Sequence, residues 1–188
     1  YIYAYGDHNQ YIADRKGKIV KLKSPENAIS KTMMAYSDSG KTCTFYILDN
    51  SGRIYSVDPA QTGELKALNL PDTISDITTQ GDLLNNKIVM LSNNTLYNFS
   101  TTGELVKASE LEPDGKFKFV NPLNVDYKAG ITDLNHNKFY LLSPISTVED
   151  GYPVWGNSDF SIMKGSENNS RSLIVISDSN GVLYVYGE

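Results

Sequence analysis

The chain has 188 residues and a formal net charge of −5, a length that suits one domain or a tight array of repeats. The acidic balance argues against a non-specific nucleic-acid binder, which needs a basic face for phosphates. A single cysteine, Cys43, excludes an internal disulfide framework and a cysteine-based zinc site, and no apolar run approaches the roughly 18 residues of a membrane helix.

Taken in order, the chain reads as short strands separated by polar turns. Residues 1–5 form a first strand, YIAD (11–14) a second and KIVKL (18–22) a third, with Ser24-Pro25-Glu26-Asn27 breaking the chain before a weak strand near 28–30. Residues 27–36 have mild helical character, enough for a short turn at most. The stretch 35–58 is the clearest unit. A short strand ends at Ser37, Asp38-Ser39-Gly40-Lys41 turns the chain, a strand runs over 42–48, and Asp49-Asn50-Ser51-Gly52 returns it as 53–57. Asx-Gly chemistry between apolar runs is the strongest short-range hairpin signal. A strand over 65–70 closes that unit. The third unit has strands at 74–78, 88–92 and 95–99, and Thr102-Gly103-Glu104-Leu105 repeats Thr62-Gly63-Glu64-Leu65 at the same place. The fourth is irregular, with strands at 117–120, 125–131 and 139–142, and then an excursion, 144–155, where a tight turn is expected. The fifth has strands at 160–163, 173–178 and 182–186 around a polar loop, 165–170.

Two patterns recur through these units. FYILD (45–49), IVMLS (88–92), FYLLS (139–143) and LIVISD (173–178) are apolar at successive positions, as strands buried on both faces are. The strand after the turn recurs as KIVKL, RIYSV, TLYNF and VLYVY. Counting the irregular fourth unit, where this strand is not repeated, the chain advances from Val20 to Tyr184 in four steps of about 41 residues, the length of a four-stranded propeller blade. The chain is therefore expected to be all-β and β-propeller-like, one domain over 1–188 with about five antiparallel blades, and possible incompleteness at its ends. It begins at Tyr1 rather than Met, as a processed product or an expressed piece of a longer protein does. The fifth unit lacks an outermost strand after Tyr186. Pairing of residues 1–5 with the last blade would close the ring and cover that edge; a strand from another chain or from a missing segment is the alternative.

At residues 35–58 and its repeats the chain resembles the β-propeller superfamily, in the manner of the Asp-x-Gly-Lys blades of lactonase-like and WD-repeat-like propellers. The matching residues are Ser37, Asp38, Gly40, Lys41 and Thr42, with one extra residue before Gly40. The Trp-Asp dipeptide of WD repeats is absent. Of the Asp-box of sialidase-type propellers, Asp38, Gly40 and Thr42 fit, while Tyr36 and Cys43 replace its Ser and aromatic. The resemblance implies architecture; propellers host lectins, hydrolases, oxidoreductases and scaffolds, so it assigns no function by itself.

Chemistry-bearing constellations are sparse. His8 and His136 are the only histidines, both in turn-like sequence, and give no metal-ligand spacing. No phosphate-cradling glycine loop or nucleophile elbow occurs. No catalytic residue, metal or cofactor is assigned. The excursion holds Tyr152-Pro153-Val154-Trp155-Gly156, with the only Trp of the chain. On a loop, Tyr152 and Trp155 would supply contact area to a partner at low entropy cost; tucked inward they would be core. The function expected is a non-enzymatic protein-interaction or scaffold module, a component of a larger multi-subunit extracytoplasmic assembly. The compartment follows from a bias of Lys over Arg, only Arg15, Arg53 and Arg171, and from an Asn/Ser/Thr/Tyr-rich surface like that of bacterial envelope β-proteins. The alternative is a glycan-binding, lectin-like propeller or a glycan or lactone hydrolase, in which Asp133, Glu149 and Asp150 would converge on a central channel.

Overall fold

The computed structural model describes residues 1–6, 9–60, 63–70, 72–82, 85–99, 104–122, 128–164 and 172–187. Over these residues the chain forms eighteen strands and no helix, in five antiparallel sheets whose strands follow one another in sequence order. Sheet 1 holds β1 (Ile2–Gly6), β2 (Asn9–Ala13) and β3 (Ile19–Leu22). Sheet 2 holds β4 (Ile29–Ser37), β5 (Thr42–Asp49), β6 (Ile54–Val57) and β7 (Lys66–Ala67). Sheet 3 holds β8 (Asp76–Gly81), β9 (Asn86–Ser92), β10 (Thr95–Phe99) and β11 (Leu105–Glu110). Sheet 4 holds β12 (Phe117–Val120), β13 (Gly130–Asp133), β14 (Lys138–Leu141) and β15 (Val154–Trp155). Sheet 5 holds β16 (Phe160–Met163), β17 (Leu173–Ser177) and β18 (Leu183–Gly187).

The same turn is built three times, at Asp14, Asp49 and Asp178. The aspartate carbonyl accepts from the Gly N–H three residues on, at 3.1, 3.0 and 3.1 Å. Its own N–H donates to the carbonyl four residues on, at 3.0 Å each time. Its Oδ1 accepts the backbone N–H groups two and four residues on, at 2.8–3.0 Å. The glycines stand at φ +80°, +82° and +80°, which an L side chain adopts only with strain. At Gly52 a Cβ would also lie 2.1 Å from Thr73 Cγ2, so that turn also fits closely against the chain entering sheet 3. In sheets 2 and 5 a tyrosine six residues after the aspartate donates its hydroxyl to Oδ2, Tyr55 to Asp49 and Tyr184 to Asp178, both at 3.3 Å.

Each sheet packs on the next through one apolar cluster. Ile12 and Leu22 of sheet 1 meet Cys43, Phe45, Ile47, Tyr55 and Val57 of sheet 2. Leu48 and Ile54 meet Ile77, Ile88 and Met90 of sheet 3. Val89, Leu91 and Leu96 meet Phe119, Ile131 and Tyr140 of sheet 4. Phe139 and Leu141 meet Phe160, Ile162, Ile174 and Ile176 of sheet 5. Along β5, β9 and β14 successive residues therefore belong to opposite interfaces, which is why these strands read as apolar runs rather than alternations. Each fully buried side chain of this size contributes about 1.5–3 kcal/mol.

Polar contacts cross the same interfaces. The face of β8 turned to sheet 4 carries Asp76, Thr78 and Gln80. Asp76 accepts Phe119 N–H at 2.9 Å and Lys31 Nζ, from sheet 2, at 2.7 Å. Thr78 donates to Asn121 Oδ1 at 3.1 Å. Gln80 donates to the carbonyls of Leu142 and Ser143 at 3.2 and 2.6 Å.

Three expectations are corrected. Residues 1–5 do not pair with the last sheet: β1 pairs with β2, and among the described residues β18 pairs only with β17. A local hairpin wins because its closure entropy is about 3 kcal/mol smaller than that of joining distant ends. Tyr1 and Tyr3 also pack on Phe45, with ring centroids 6.2 and 6.0 Å away. Residues 29–37 are one nine-residue strand, the first of sheet 2, rather than a weak fourth strand and a turn; its β-branched and long apolar residues pair along all of β5. Sheet 4 gains a two-residue outer strand, β15, inside the excursion. His8, Thr62, Thr102, Gly103, residues 125–127 and the loop 165–170 lie outside the described residues.

Sheet 1 also differs from the rest. Ile12, two residues before the turn aspartate, corresponds to Ile47, Ile131 and Ile176, which face the preceding sheet in sheets 2, 4 and 5. In sheet 1 this side faces sheet 2 instead. The opposite side, with Ile2, Tyr11 and Ile19, is exposed.

Candidate interaction surface

The excursion after β14 begins with a compact knot. Ser146 N–H donates to Ser143 O and Ser143 N–H to Thr147 O, both at 2.8 Å, and the Ser143 and Thr147 hydroxyls meet at 2.7 Å. Ser146 is buried and donates its hydroxyl to Gln80 Oε1 at 2.8 Å, so sheet 3 anchors the base of the excursion. Glu149 N–H then bonds Leu141 O at 2.9 Å, and the Glu149 carboxylate pairs with Lys128 at 3.5 Å. The Asp150-Gly151 turn brings the chain back as β15, with Val154 opposite Phe139 and Trp155 opposite Lys138.

Structure separates the two aromatic residues singled out in the sequence. Tyr152 is half-buried and packs edge-on against Phe139, centroids 6.1 Å apart. Trp155 is 58% exposed. Its backbone is nevertheless fixed on both sides: its N–H donates to the Tyr186 hydroxyl at 3.0 Å, and that hydroxyl donates to the Trp155 carbonyl at 3.0 Å. One phenol of sheet 5 thus caps the outer edge of sheet 4 where Trp155 stands. Tyr186 in turn stacks on Tyr184, at 6.5 Å and 13° between planes. Beside it a cleft of about 460 Å³ opens between the two sheets, lined among others by Lys128, Glu149, Tyr152, Val154 and Tyr186. The role of Tyr186 was not read from the sequence. The spacing of six that links Asp49 to Tyr55 and Asp178 to Tyr184 marks tyrosines that bond the turn of their own sheet, and it does not reach Tyr186.

The carboxylates weighed for catalysis do not share a place. Asp133 is buried in the β13–β14 hairpin, where it accepts Lys116 N–H and Asn135 N–H at 3.0 Å and faces His136 Nδ1 at 2.5 Å. Burial works to raise its pKa, but hydrogen bonds from His136 and the two backbone N–H groups outweigh it and hold the carboxyl below the usual range. Glu149 stands at the opposite end of β14, beside Leu141. Asp150 is exposed in the turn between them and β15. Cys43 lies in the interface of sheets 1 and 2, where burial pushes its thiol up and away from a reactive thiolate. Burial likewise pushes the Tyr140 phenol up to about 12. Among the described residues no group of three or more His, Cys, Asp or Glu could hold a metal ion, and no helix is long and apolar enough to cross a membrane.

Similar folds occur among solved structures. The N-terminal part of BBS1, crystallised in complex with ARL6, overlays with a TM-score of 0.63 at 17% identity, covering 98% of this chain and 59% of that one. Virginiamycin B lyase from Staphylococcus aureus overlays with a TM-score of 0.54 at 15% identity, over 95% and 62%. The fold is β-propeller-like. The computationally designed Ika4 protein overlays with a TM-score of 0.54 at 13% identity, over 89% and 95%. This propeller-like chain thus spans about three fifths of the length of the BBS1 and lyase chains. At these identities the likeness concerns the fold. No family model and no curated protein matches the sequence.

Proposed function

We propose that this chain is a non-enzymatic protein-interaction module, part of a larger extracytoplasmic assembly, and that it meets its protein partner at the outer rim of sheets 4 and 5. The observation that carries the reading is Trp155: a large aromatic held in the open, on a backbone pinned at both its N–H and its carbonyl by Tyr186. Exposed tryptophan on a pre-ordered edge loses little freedom on binding, which is what interface anchors share. Tyr152 and the Lys128–Glu149 pair then form the adjoining cleft wall and polar rim. The BBS1 structure supports the reading as an instance of a similar fold in a protein complex, and the lyase is the reminder that similar folds also carry chemistry. The extracytoplasmic placement is supported by composition, with few arginines and a surface rich in Asn, Ser, Thr and Tyr.

A photo-reactive residue placed at exposed Asp150, which lines the same cleft and leaves Trp155 in place, tests this in the source cells. One discrete cross-linked protein at 150, absent with the probe at exposed Leu134, is expected, together with recovery of the chain in an extracytoplasmic fraction. Identical patterns at both positions would sink the rim as a partner surface. Binding on a glycan array, lost on Trp155→Ala, would replace the protein partner by a carbohydrate.

A further inference from the structure

Sheet 5 repeats sheets 2, 3 and 4 in sequence but not in burial. Five residues after the turn aspartate stand Ile54 in sheet 2 and Leu183 in sheet 5; Ile54 is 1% exposed and Leu183 is 67% exposed. Ile54 is covered because the back of sheet 3, with Ile77, Ile88 and Met90, lies against it. The forward side of sheet 3 is covered by sheet 4, and that of sheet 4 by sheet 5. On sheet 5 that side carries Met163, Leu173, Leu183 and Val185, all exposed. β17, Leu-Ile-Val-Ile-Ser, therefore has the composition of a strand buried on both faces while only Ile174 and Ile176 are packed. An apolar patch of this continuity on a repeat array is an interface pattern rather than ordinary surface.

We infer that the forward face of sheet 5 is a sheet-to-sheet interface whose occupant is a further antiparallel β-sheet, supplied by polypeptide continuous with this chain. Two observations select that occupant. In sheets 2, 3 and 4 the equivalent face is covered each time by the back of the next sheet of the same polypeptide. The chain also spans only 59% and 62% of the BBS1 and lyase chains whose fold it shares. The covering sheet would present alternating aliphatic residues, as β9 presents Ile88 and Met90 to Leu48 and Ile54.

Thiol labelling in the polypeptide recovered from its source tests the inference, because the native Cys43 is buried and reacts slowly. Leu183→Cys and Val185→Cys are compared with Leu134→Cys at an exposed position in the β13–β14 turn. The polypeptide is expected to be longer than 188 residues by mass. The thiols introduced at 183 and 185 are expected to react at least about 100-fold more slowly than the one at 134, at every protein concentration. Equal rates at the three positions, or a polypeptide no longer than this chain, overturn the inference. So does protection at 183 that disappears on dilution, since that assigns the face to a second copy.

Discussion

Asp49→Ala is the most direct probe of the repeated turn. Asp49 is 1% exposed, and its Oδ1 accepts Ser51 N–H at 2.9 Å, Ser51 Oγ at 2.7 Å and Arg53 N–H at 3.0 Å. Its Oδ2 accepts Asn27 Nδ2 at 3.2 Å and the buried Tyr55 hydroxyl at 3.3 Å. Water can reach the vacated turn N–H groups in part but not the Tyr55 hydroxyl. One buried donor left unpaired costs about 1–3 kcal/mol, and loss of the turn bonds adds about 1 kcal/mol, so the expected loss is about 2–4 kcal/mol. Asp14 makes the same two backbone bonds in an exposed turn and has no tyrosine six residues on, so Asp14→Ala is expected to cost about 1 kcal/mol or less. Urea unfolding of both variants, with midpoints compared at unchanged slope, measures the difference. Equal losses would refute the argument that burial, not turn geometry, sets the cost. The pH dependence has a definite sign. Burial tends to raise the Asp49 pKa, but the bonds from Ser51, Arg53 and Asn27 outweigh it and the net value is lowered. The folded carboxyl thus lies below its unfolded value of about 3.9. Its contribution is fully present above about pH 4 and fades as pH falls through the folded pKa. The gap between the parent chain and Asp49→Ala is expected to narrow in acid.

Trp155→Ala is expected to change stability by less than about 1 kcal/mol while removing the cross-link partner, whereas Phe139→Ala, in the core on the neighbouring strand, should cost about 3–5 kcal/mol; a Trp155 loss of the same size would place it in the core. Tyr186→Phe removes the hydroxyl that holds Trp155 on both sides and is expected to speed amide exchange at Trp155 by about tenfold, the equivalent of about 1.4 kcal/mol, with the exchange of β9 unchanged. Gly52→Ala forces a Cβ to within 2.1 Å of Thr73 Cγ2 at φ +82°, and thermal melting should show it more damaging than Gly17→Ala, where φ is +80° but no atom lies within 4 Å.

What the sequence made legible is what local chemistry decides. The Asp-x-x-Gly turns and the apolar runs placed strands at 42–48, 88–92, 95–99 and 117–120 close to where β5, β9, β10 and β12 stand. The runs also showed that several strands are covered on both faces, because a strand with one face in water alternates apolar with polar residues and these do not. What stayed hidden is what distant parts decide. The pairing of 29–37 along the whole of β5 depends on tertiary packing that overrides weak local helical character. β15 has two residues and no periodicity to read. The expectation for Tyr152 and Trp155 split: Tyr152, before β15, packs on Phe139, while Trp155, on β15, is exposed. Nothing in the sequence said that Tyr186, thirty-one positions away, would hold the outward one.

The interfaces between sheets combine two kinds of contact that do different things. Apolar clusters supply most of the attraction, but hydrophobic burial is non-directional and would tolerate one sheet sliding on the next. The polar face of β8 removes that freedom. Asp76, Thr78 and Gln80, at alternate positions, each reach a distinct group of sheet 4 or the excursion: Phe119 N–H, Asn121, and the carbonyls of Leu142 and Ser143. A slip of one residue would leave the buried Gln80 amide without partners, at about 1–3 kcal/mol or more, and would take the Phe119 N–H from Asp76, which keeps Lys31. Gln80 also holds Ser146 and hence the base of the excursion. The register of sheets 3 and 4 and the base of the excursion that carries Trp155 are therefore set by one polar strand. Gln80→Leu keeps the volume and the apolar attraction but not the bonds, so it is expected to loosen the 143–156 segment in hydrogen exchange before it loosens the cluster around Val89 and Ile131. Uniform loosening of both would show that the apolar packing alone fixes the register.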